Sequence, residues 1–390
     1  MIYLDHAATT PMDPRVVEAM IPYLTYDYGN PGSLHEYGRT AKDAVDKARQ
    51  QVADFFYCSP EQVIFTSGGS EGNNLVIQGL ENELRRRGKT DVLVSAVEHD
   101  SVLKAARKLC RKPDFHLNIC NPDRSGKVTA EAIADNLTGE TGLVSVMMTN
   151  NETGVGNPVF RINTVCRKAG VLYHCDAVQA AGLVELDTED LLPDVDFMTM
   201  SGHKINGPKG TGAVFARNPE LLSPLICGGD EQEFGFRGGT ENVPGIVGLG
   251  KACEITQEEM NKHYKYLRAQ HSQLIFMLKY QAKQKGLELR INGESAPISP
   301  KTLNICLPGI DAQSLLLLLD SCGIYVSAGS ACTAHENHPS HVLKAMGLSD
   351  EDANSSIRIS ISHVTTPEEL DEAAQEIIRC ACILRGISND

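Results

Sequence analysis

Met200-Ser201-Gly202-His203-Lys204-Ile205-Asn206-Gly207-Pro208-Lys209-Gly210 follows directly on the apolar run 195–200, and its lysine decides how the chain is read. An apolar run that stops abruptly at Ser-Gly reads as a buried strand, and open α/β sheets bind ligands beyond the carboxyl ends of such strands. A second apolar run, 170–174, ends in Cys175-Asp176-Ala177-Val178-Gln179, which sets an aspartate at another strand end. A lysine amine able to form a Schiff base and a carboxylate able to hold a pyridinium nitrogen are the minimal equipment for pyridoxal phosphate (PLP). Taken singly each has a plainer and commoner reading, a surface lysine and a helix-capping aspartate.

Outward from these two runs, strand-like and helix-like segments alternate. Residues 63–66, 92–95, 143–149, 171–174, 197–200 and 212–216 are short and apolar. Asp13-Pro14 opens a helix with Asp as N-cap and Pro in the first turn, and Ser59-Pro60-Glu61-Gln62 repeats that grammar. Residues 70–87 read as one helix, with arginines gathered before Gly88. This alternation predicts an α/β fold whose central sheet is mainly parallel with crossover helices. Past residue 256 the pattern changes. Residues 257–285 predict a long amphipathic helix, strands follow at 302–307, 323–327 and 356–362, and Thr366-Pro367-Glu368-Glu369 starts a last helix with a capping box. The expected division is a large α/β domain over 15–256 and a smaller α+β domain made of 1–14 and 257–390.

Composition narrows the function classes. The 390 residues carry a net charge of −14, which argues against nucleic acid or an anionic membrane as partner. No apolar run approaches spanning length, 315–319 being only five residues, and the N-terminal residues carry no signal pattern. The expectation is a soluble cytoplasmic protein. Twelve cysteines are scattered without a C-x-x-C pair, so in a reducing compartment most read as small buried hydrophobes. Cys380 and Cys382, two apart on a helix, face different directions.

Several further segments can carry chemistry. Ser67-Gly68-Gly69-Ser70-Glu71-Gly72 lies between a strand and a helix, where free amides and the helix dipole suit a phosphate; an ordinary Gly-rich turn is the alternative. The glycine patterns at 207–212 and 245–250 do not match the dinucleotide fingerprint. Glu98-His99-Asp100-Ser101 offers an imidazole to stack on a ring or pass protons, against the commoner structural role of such a histidine. Asn150-Asn151-Glu152 ends a strand with amides that bond a ligand or merely shape a turn. Arg358, alternating with apolar neighbours in Ser355-Ser356-Ile357-Arg358-Ile359-Ser360, is a fork for a carboxylate or, the simpler reading, solvent-facing. Cys332 sits in a run of small residues, Ser327-Ala328-Gly329-Ser330-Ala331-Cys332-Thr333-Ala334, the setting of an exposed, reactive thiol. His335, His338 and His341 follow but complete no compact ligand set, so no metal is expected.

Together and in this order, Tyr3-Leu4-Asp5-His6-Ala7-Ala8-Thr9-Thr10-Pro11, Gly29-Asn30-Pro31, Glu98-His99, Asn150-Asn151-Glu152, Asp176-Ala177-Val178-Gln179, Ser201-Gly202-His203-Lys204, Gly329-Ser330-Ala331-Cys332-Thr333 and Ser355-Ser356-Ile357-Arg358 resemble the cysteine desulfurases. These are PLP enzymes of the class V aminotransferase family, fold type I. The long stretch after Cys332 resembles the NifS/IscS type. The resemblance implies that Lys204 binds PLP covalently and moves protons, Asp176 pairs with the pyridinium nitrogen, Gln179 bonds the ring hydroxyl, and His99 stacks on the ring. It implies that Gly69, Ser70, Ser201 and His203 bind the phosphate, with Thr240 reaching the phosphate of the partner subunit in a homodimer. Asn151 and Arg358 would hold the carboxylate of L-cysteine. Cys332 would take its sulfur as a persulfide, leaving alanine, and pass it to an acceptor protein of iron–sulfur assembly or thiolation. The chain departs from the family pattern in places. Ser70 stands where Thr is common. The segment Gly228-Gly229-Asp230-Glu231-Gln232-Glu233-Phe234 replaces Gly-Gly-Gly-Gln-Glu-Arg, one residue longer and without the arginine. The end at Asp390 lacks the scaffold-docking tail of IscS-type members. Selenocysteine lyase or another class V PLP enzyme is the enzymatic alternative, and a partner-binding scaffold on the same fold the non-enzymatic one.

Overall fold

The computed structural model describes residues 1–190, 192–193, 195–229, 232–329 and 339–387. It opens on a two-residue strand, β1 (Ile2–Tyr3), whose partner comes from late in the chain. β2 (Val63–Thr66), β3 (Asp91–Ser95), β4 (His116–Cys120), β5 (Thr141–Ser145), β6 (Leu172–Asp176), β7 (Phe197–Ser201) and β8 (Gly212–Ala216) form a central sheet in the order β2-β8-β7-β6-β5-β3-β4. Neighbours from β4 through β7 pair in parallel, and β8 runs antiparallel to both its partners, β7 and β2. β2, β5, β6, β7 and β8 are buried at every residue because helices cover both faces. That burial is why their sequences read as unbroken apolar runs. The edge strand β4 is mostly uncovered and carries polar residues, so no apolar run announced it.

Capping follows the sequence. Asp13 accepts from the Arg15 amide to start the helix Pro14–Thr25, and Thr366 and Glu369 close a capping box on Pro367–Arg385. Ser59-Pro60 opens only a single 3₁₀ turn, Pro60–Gln62, before β2. The helix expected over 70–87 is two, Gly69–Gly79 and Glu81–Arg87.

The long helix begins at Val243, not near 257, and runs unbroken to Gln284. Its first turns carry Gly245, Gly248 and Gly250, which lower helix propensity and hide the start. The glycines are there for close packing: a Cβ on Gly248 would lie 2.6 Å from Met20 Sδ, and one on Gly250 2.8 Å from Ala48 Cα. The helices Pro14–Thr25 and Glu36–Phe56 thus lie directly against this rod.

A second sheet pairs β9 (Arg290–Ile291), β10 (Thr302–Cys306) and β12 (Ser356–Ser360) antiparallel in the order β12-β10-β9, while β11 (Ile324–Tyr325) takes β1 as a parallel partner. Their apolar side chains form a separate core in which Leu4, Leu274, Leu303, Leu319, Ile357 and Ile377 are buried. Each such side chain contributes roughly 1.5–3 kcal/mol. The late helix His341–Ala345 does not join this core. Val342 and Leu343, with Met346 and Ala353 beyond them, pack into the core beneath the central sheet. Among the described residues no helix is long and apolar enough to cross a membrane.

Candidate active site

Five strands of the central sheet deliver residues to one cavity of about 180 Å³, lined by Ala7, Gly69, Asn73, His99, Asp176, Lys204 and Arg358 among others. Lys204 ends a 3₁₀ turn, Gly202–Lys204, just past β7. The Gly202 amide donates to Thr211 (3.0 Å), which folds the chain back so that the lysine points into the cavity rather than to solvent. Its Nζ donates to the Ala7 and Ala8 carbonyls at 2.6 and 2.7 Å, so neutral oxygens of the N-terminal segment hold it.

Asp176 is the last residue of β6. Its Oδ1 accepts from the Val178 amide (2.9 Å) and its Oδ2 from Asn73 Nδ2 (2.7 Å). Asn73, on the helix Gly69–Gly79, also donates to Ser101 Oγ at 2.8 Å; nothing in the sequence marks it out beyond its place on a helix. His99 is the N-cap of the helix Asp100–Leu109, with Nδ1 accepting from the Ser101 amide, and its ring lines the cavity. Structural and ligand-facing readings of this histidine are thus both satisfied by one residue.

Arg358 corrects the simpler reading of its strand. It is 1% exposed, not solvent-facing. Nη1 donates to the Asn151 carbonyl (2.9 Å) and Nη2 to Asp5 Oδ1 (2.7 Å). The alternation that suggested a solvent face is real, but the second face of β12 looks onto the central sheet's ligand edge.

Among the described residues, four buried polar atoms of the cavity lining have no partner: Asn73 Oδ1, Asn151 Oδ1, Gln179 Oε1 and Arg358 Nε. Such atoms cost on the order of 1–3 kcal/mol each when unmet. Their convergence fits a polar ligand, and with Lys204 and Asp176 it suits an aromatic cofactor bearing a carbonyl and a basic ring nitrogen.

A shallower concavity adjoins, lined by Ser67, Gly68, Gly69, Ser70, Ser201, His203 and Lys209. It sits at the N-terminus of an eleven-residue helix, where amides point at an anion. Gly68 has φ 147°, which disfavours a side chain, and a Cβ on Gly69 would lie 2.7 Å from Val178 Cγ2. Burial, helped by the charges of Lys204, Lys209 and Lys301, pushes the His203 imidazole down to about 4, so it is neutral at pH 7. Lys209 brings a cation to this corner that the sequence reading left without a role.

Thr240 is exposed and is not among the residues lining the cavity of its own chain. Its segment is anchored by Glu233, whose carboxylate forms a two-pronged pair with buried Arg49 (2.6 and 3.0 Å). Cys332, His335 and His338 lie outside the described residues. The described ends of that segment converge: Ser340 Oγ donates to Glu152 Oε2 (2.5 Å), and a Cβ on Gly329 would lie 3.4 Å from the same oxygen. Glu152 is the neighbour of Asn151 on the cavity wall. The His341 ring lies 2.9 Å from the Glu98 carbonyl.

Two buried groups escaped the sequence reading. Lys301 lies behind Lys204 and donates to its carbonyl (3.1 Å); burial, then the charges of Lys204 and Arg358, hold its amine down at about 7. Glu98 accepts from Ser95 Oγ and the Met147 amide, and burial pushes its carboxyl up to about 8.

Comparison with known proteins agrees with this geometry. Residues 2–372 match the model of the class-V aminotransferase family. A protein of Bacillus subtilis (strain 168) named putative cysteine desulfurase IscS 1 is 40% identical over 96% of this chain and 97% of its own. A solved NifS-like protein superposes with a TM-score of 0.89 at 34% identity, covering 98% of this chain and all of that one. The solved structure of SspA in complex with cysteine superposes with a TM-score of 0.78 at 30% identity, over 94% of this chain and all of that one.

Proposed function

The chain belongs to the class-V aminotransferase family and within it to the cysteine desulfurases, and we propose that it uses PLP to take sulfur from L-cysteine, releasing L-alanine and keeping the sulfur as a persulfide on Cys332. The observation that carries this reading is the cavity itself, where Lys204 and Asp176 face the unpaired atoms of Asn151, Gln179 and Arg358. When bound, PLP supplies an electron sink for the substrate α-carbon. Lys204 would hold the cofactor covalently and, when released, move a proton; its free amine donates to the Ala7 and Ala8 carbonyls. Asp176, kept in place by Asn73 and the Val178 amide, holds the ring nitrogen. Gln179 donates to Ala7 and keeps Oε1 for the ring hydroxyl. His99 covers the ring. Gly69, Ser70, Ser201 and His203 receive the phosphate at the helix N-terminus. Arg358, steadied by Asp5, and Asn151 receive the substrate carboxylate.

Cys332 supplies the nucleophile. It stands three residues after Gly329, a tether of at most about 11 Å, and Gly329 already lies beside Glu152, the chain neighbour of the cavity-lining Asn151. The persulfide then passes to an acceptor protein of iron–sulfur assembly or thiolation, in the cytoplasm. Thr240, exposed and outside its own chain's cavity, belongs to the site of a second copy, so the active form is a homodimer. We assign 15–256 to a large domain on the central sheet and 1–14 with 257–390 to a smaller one; residues 342–353 of the latter reach across into the core of the former.

The test is a single turnover without reductant, followed by peptide mapping. Persulfide is expected on Cys332, and Cys332→Ala is expected to bind PLP and cysteine yet release almost no sulfide. Normal alanine production by that variant would overturn the assignment.

A further inference from the structure

On the outer side of the smaller core, two helices bring a pair of thiols together. Cys322 is the C-cap of the helix Ala312–Ser321 and is partly exposed; Cys380 lies on Pro367–Arg385 and is buried. Their sulfurs and a carboxylate oxygen of Glu376 all lie within 4.8 Å of one another. Arg379 joins the group, with Nη2 3.3 Å from Cys322 Sγ and 2.6 Å from Glu376 Oε2. None of these residues touches the cavity around Lys204.

Two sulfurs and a carboxylate would also suit a soft metal ion. Arg379 argues against one, because its guanidinium already contacts both the Cys322 sulfur and the Glu376 carboxylate. Cys322 is the partly exposed member of the pair, the one that an incoming disulfide can reach, and the Arg379 guanidinium lies against its sulfur. Cys227 is exposed, but most of the other described thiols are buried. Burial pushes Cys110 and Cys120 up to about 11, and Cys58 and Cys166 up to about 12, as expected for inert core residues. Cys380 is held up at about 12, first by burial and then by Cys322 itself. One accessible sulfur held by a guanidinium, with a shielded partner at contact range, is the arrangement of an attacking and a resolving thiol.

We propose that Cys322 and Cys380 form an oxidisable dithiol that reacts with low-molecular-weight disulfides. The Cys322 thiolate attacks one sulfur of RSSR, forms Cys322–S–S–R and displaces RS⁻. Cys380 then attacks Cys322 Sγ, displaces the second RS⁻, and gives its proton to that leaving thiolate. Two protein thiols are oxidised to one disulfide, and RSSR is reduced to two thiols. The bond would clasp the two helices just before Gly323 and β11, the strand that pairs with β1 and so positions the segment holding Lys204. The proposal is independent of the desulfuration reading.

The purified holoenzyme is treated with oxidised glutathione, alkylated and mapped. Expected is a linked Cys322–Cys380 peptide, with Cys322 reacting roughly tenfold faster than exposed Cys227. Cys380→Ser should stop at the Cys322–glutathione mixed disulfide, and Cys322→Ser should leave Cys380 reduced; circular dichroism confirms that both variants fold. Glutathione accumulating on Cys227 with Cys322 untouched, or a Cys322 adduct that Cys380 never resolves in the unmutated protein, overturns the proposal. So does one zinc per chain in the reduced protein that both variants lose, which would make the cluster a metal site.

Discussion

Two buried clusters each centre on an arginine, and they are built to opposite ends. Around Arg49 everything is met. Its guanidinium reaches both oxygens of Glu233 and the Val63 carbonyl, and lies over the rings of Phe65 and Phe234. Glu233 also accepts from the Phe65 amide. Around Arg358 the account stays open: Arg358 Nε, Asn151 Oδ1 and Gln179 Oε1 are buried without partners. A closed cluster fastens one piece of chain to another. An open one, tolerated at a cost of a few kcal/mol, leaves polar atoms able to bond a polar ligand.

The comparison is broken most decisively at Lys204. Lys204→Ala should lower desulfuration roughly a thousandfold or more while leaving the melting temperature nearly unchanged. In the unmutated protein, borohydride should fix PLP to Lys204; mass spectrometry that finds reduced PLP on another lysine would remove it from the centre of the open cluster. Glu233→Ala should do the converse. Stranding Arg49 in the interior should cost about 3–5 kcal/mol in urea denaturation, and replacing both Arg49 and Glu233 with methionine should recover much of it. A loss below about 1 kcal/mol for the single variant would mean that the clamp is not what fastens this segment.

A sharper probe is Arg358→Lys, which keeps the charge and loses the fork. KM for L-cysteine should rise roughly ten- to a hundredfold, with less effect on kcat. An unchanged KM would take the carboxylate away from Arg358. The smallest effect is expected at Glu98. Between about pH 4.5 and pH 8 the unfolded chain's Glu98 gives up its proton while the native one keeps it, so the native state loses relative stability as pH rises through that window. Glu98→Gln, which does not titrate, should gain on the unmutated protein from pH 5 to pH 8, by on the order of 1–3 kcal/mol. Denaturation midpoints that differ by the same amount at both pH values would show that the carboxyl is not held protonated.

How much of this was legible in the sequence follows from where each signal lives. Lys204 and Asp176 stand at the ends of strands buried on both faces, and burial writes itself as an apolar run with a sharp end. The parallel sheet was legible for the same reason, and β4 was not, because an exposed edge strand needs no apolar run. Gly245, Gly248 and Gly250 hid fourteen residues of helix, since their reason is contact with Met20 and Ala48, distant in sequence. Arg358 is ambiguous until β12 is seen to face the cavity, and Asn73, Glu98 and Lys301 act through neighbours far along the chain. The Glu233 clamp falls in the segment that departs from the family pattern, where resemblance offered no guide and only the fold brings Arg49 within reach.

The pairing of β1 with β11, and of Asp5 with Arg358, sets a timetable for the protein's birth. The stretch whose Ala7 and Ala8 carbonyls hold Lys204 is made early, and Arg358 follows about 350 residues later. At 5–20 residues per second that interval is on the order of 20–70 s. Until β11 is made the first strand has no edge to join, and until Arg358 follows, the lysine has no finished pocket. A nascent chain halted before residue 356 should therefore keep the central sheet and take up no cofactor. Pulse-labelled chains arrested before and after β12, then probed by limited proteolysis, would time the closure.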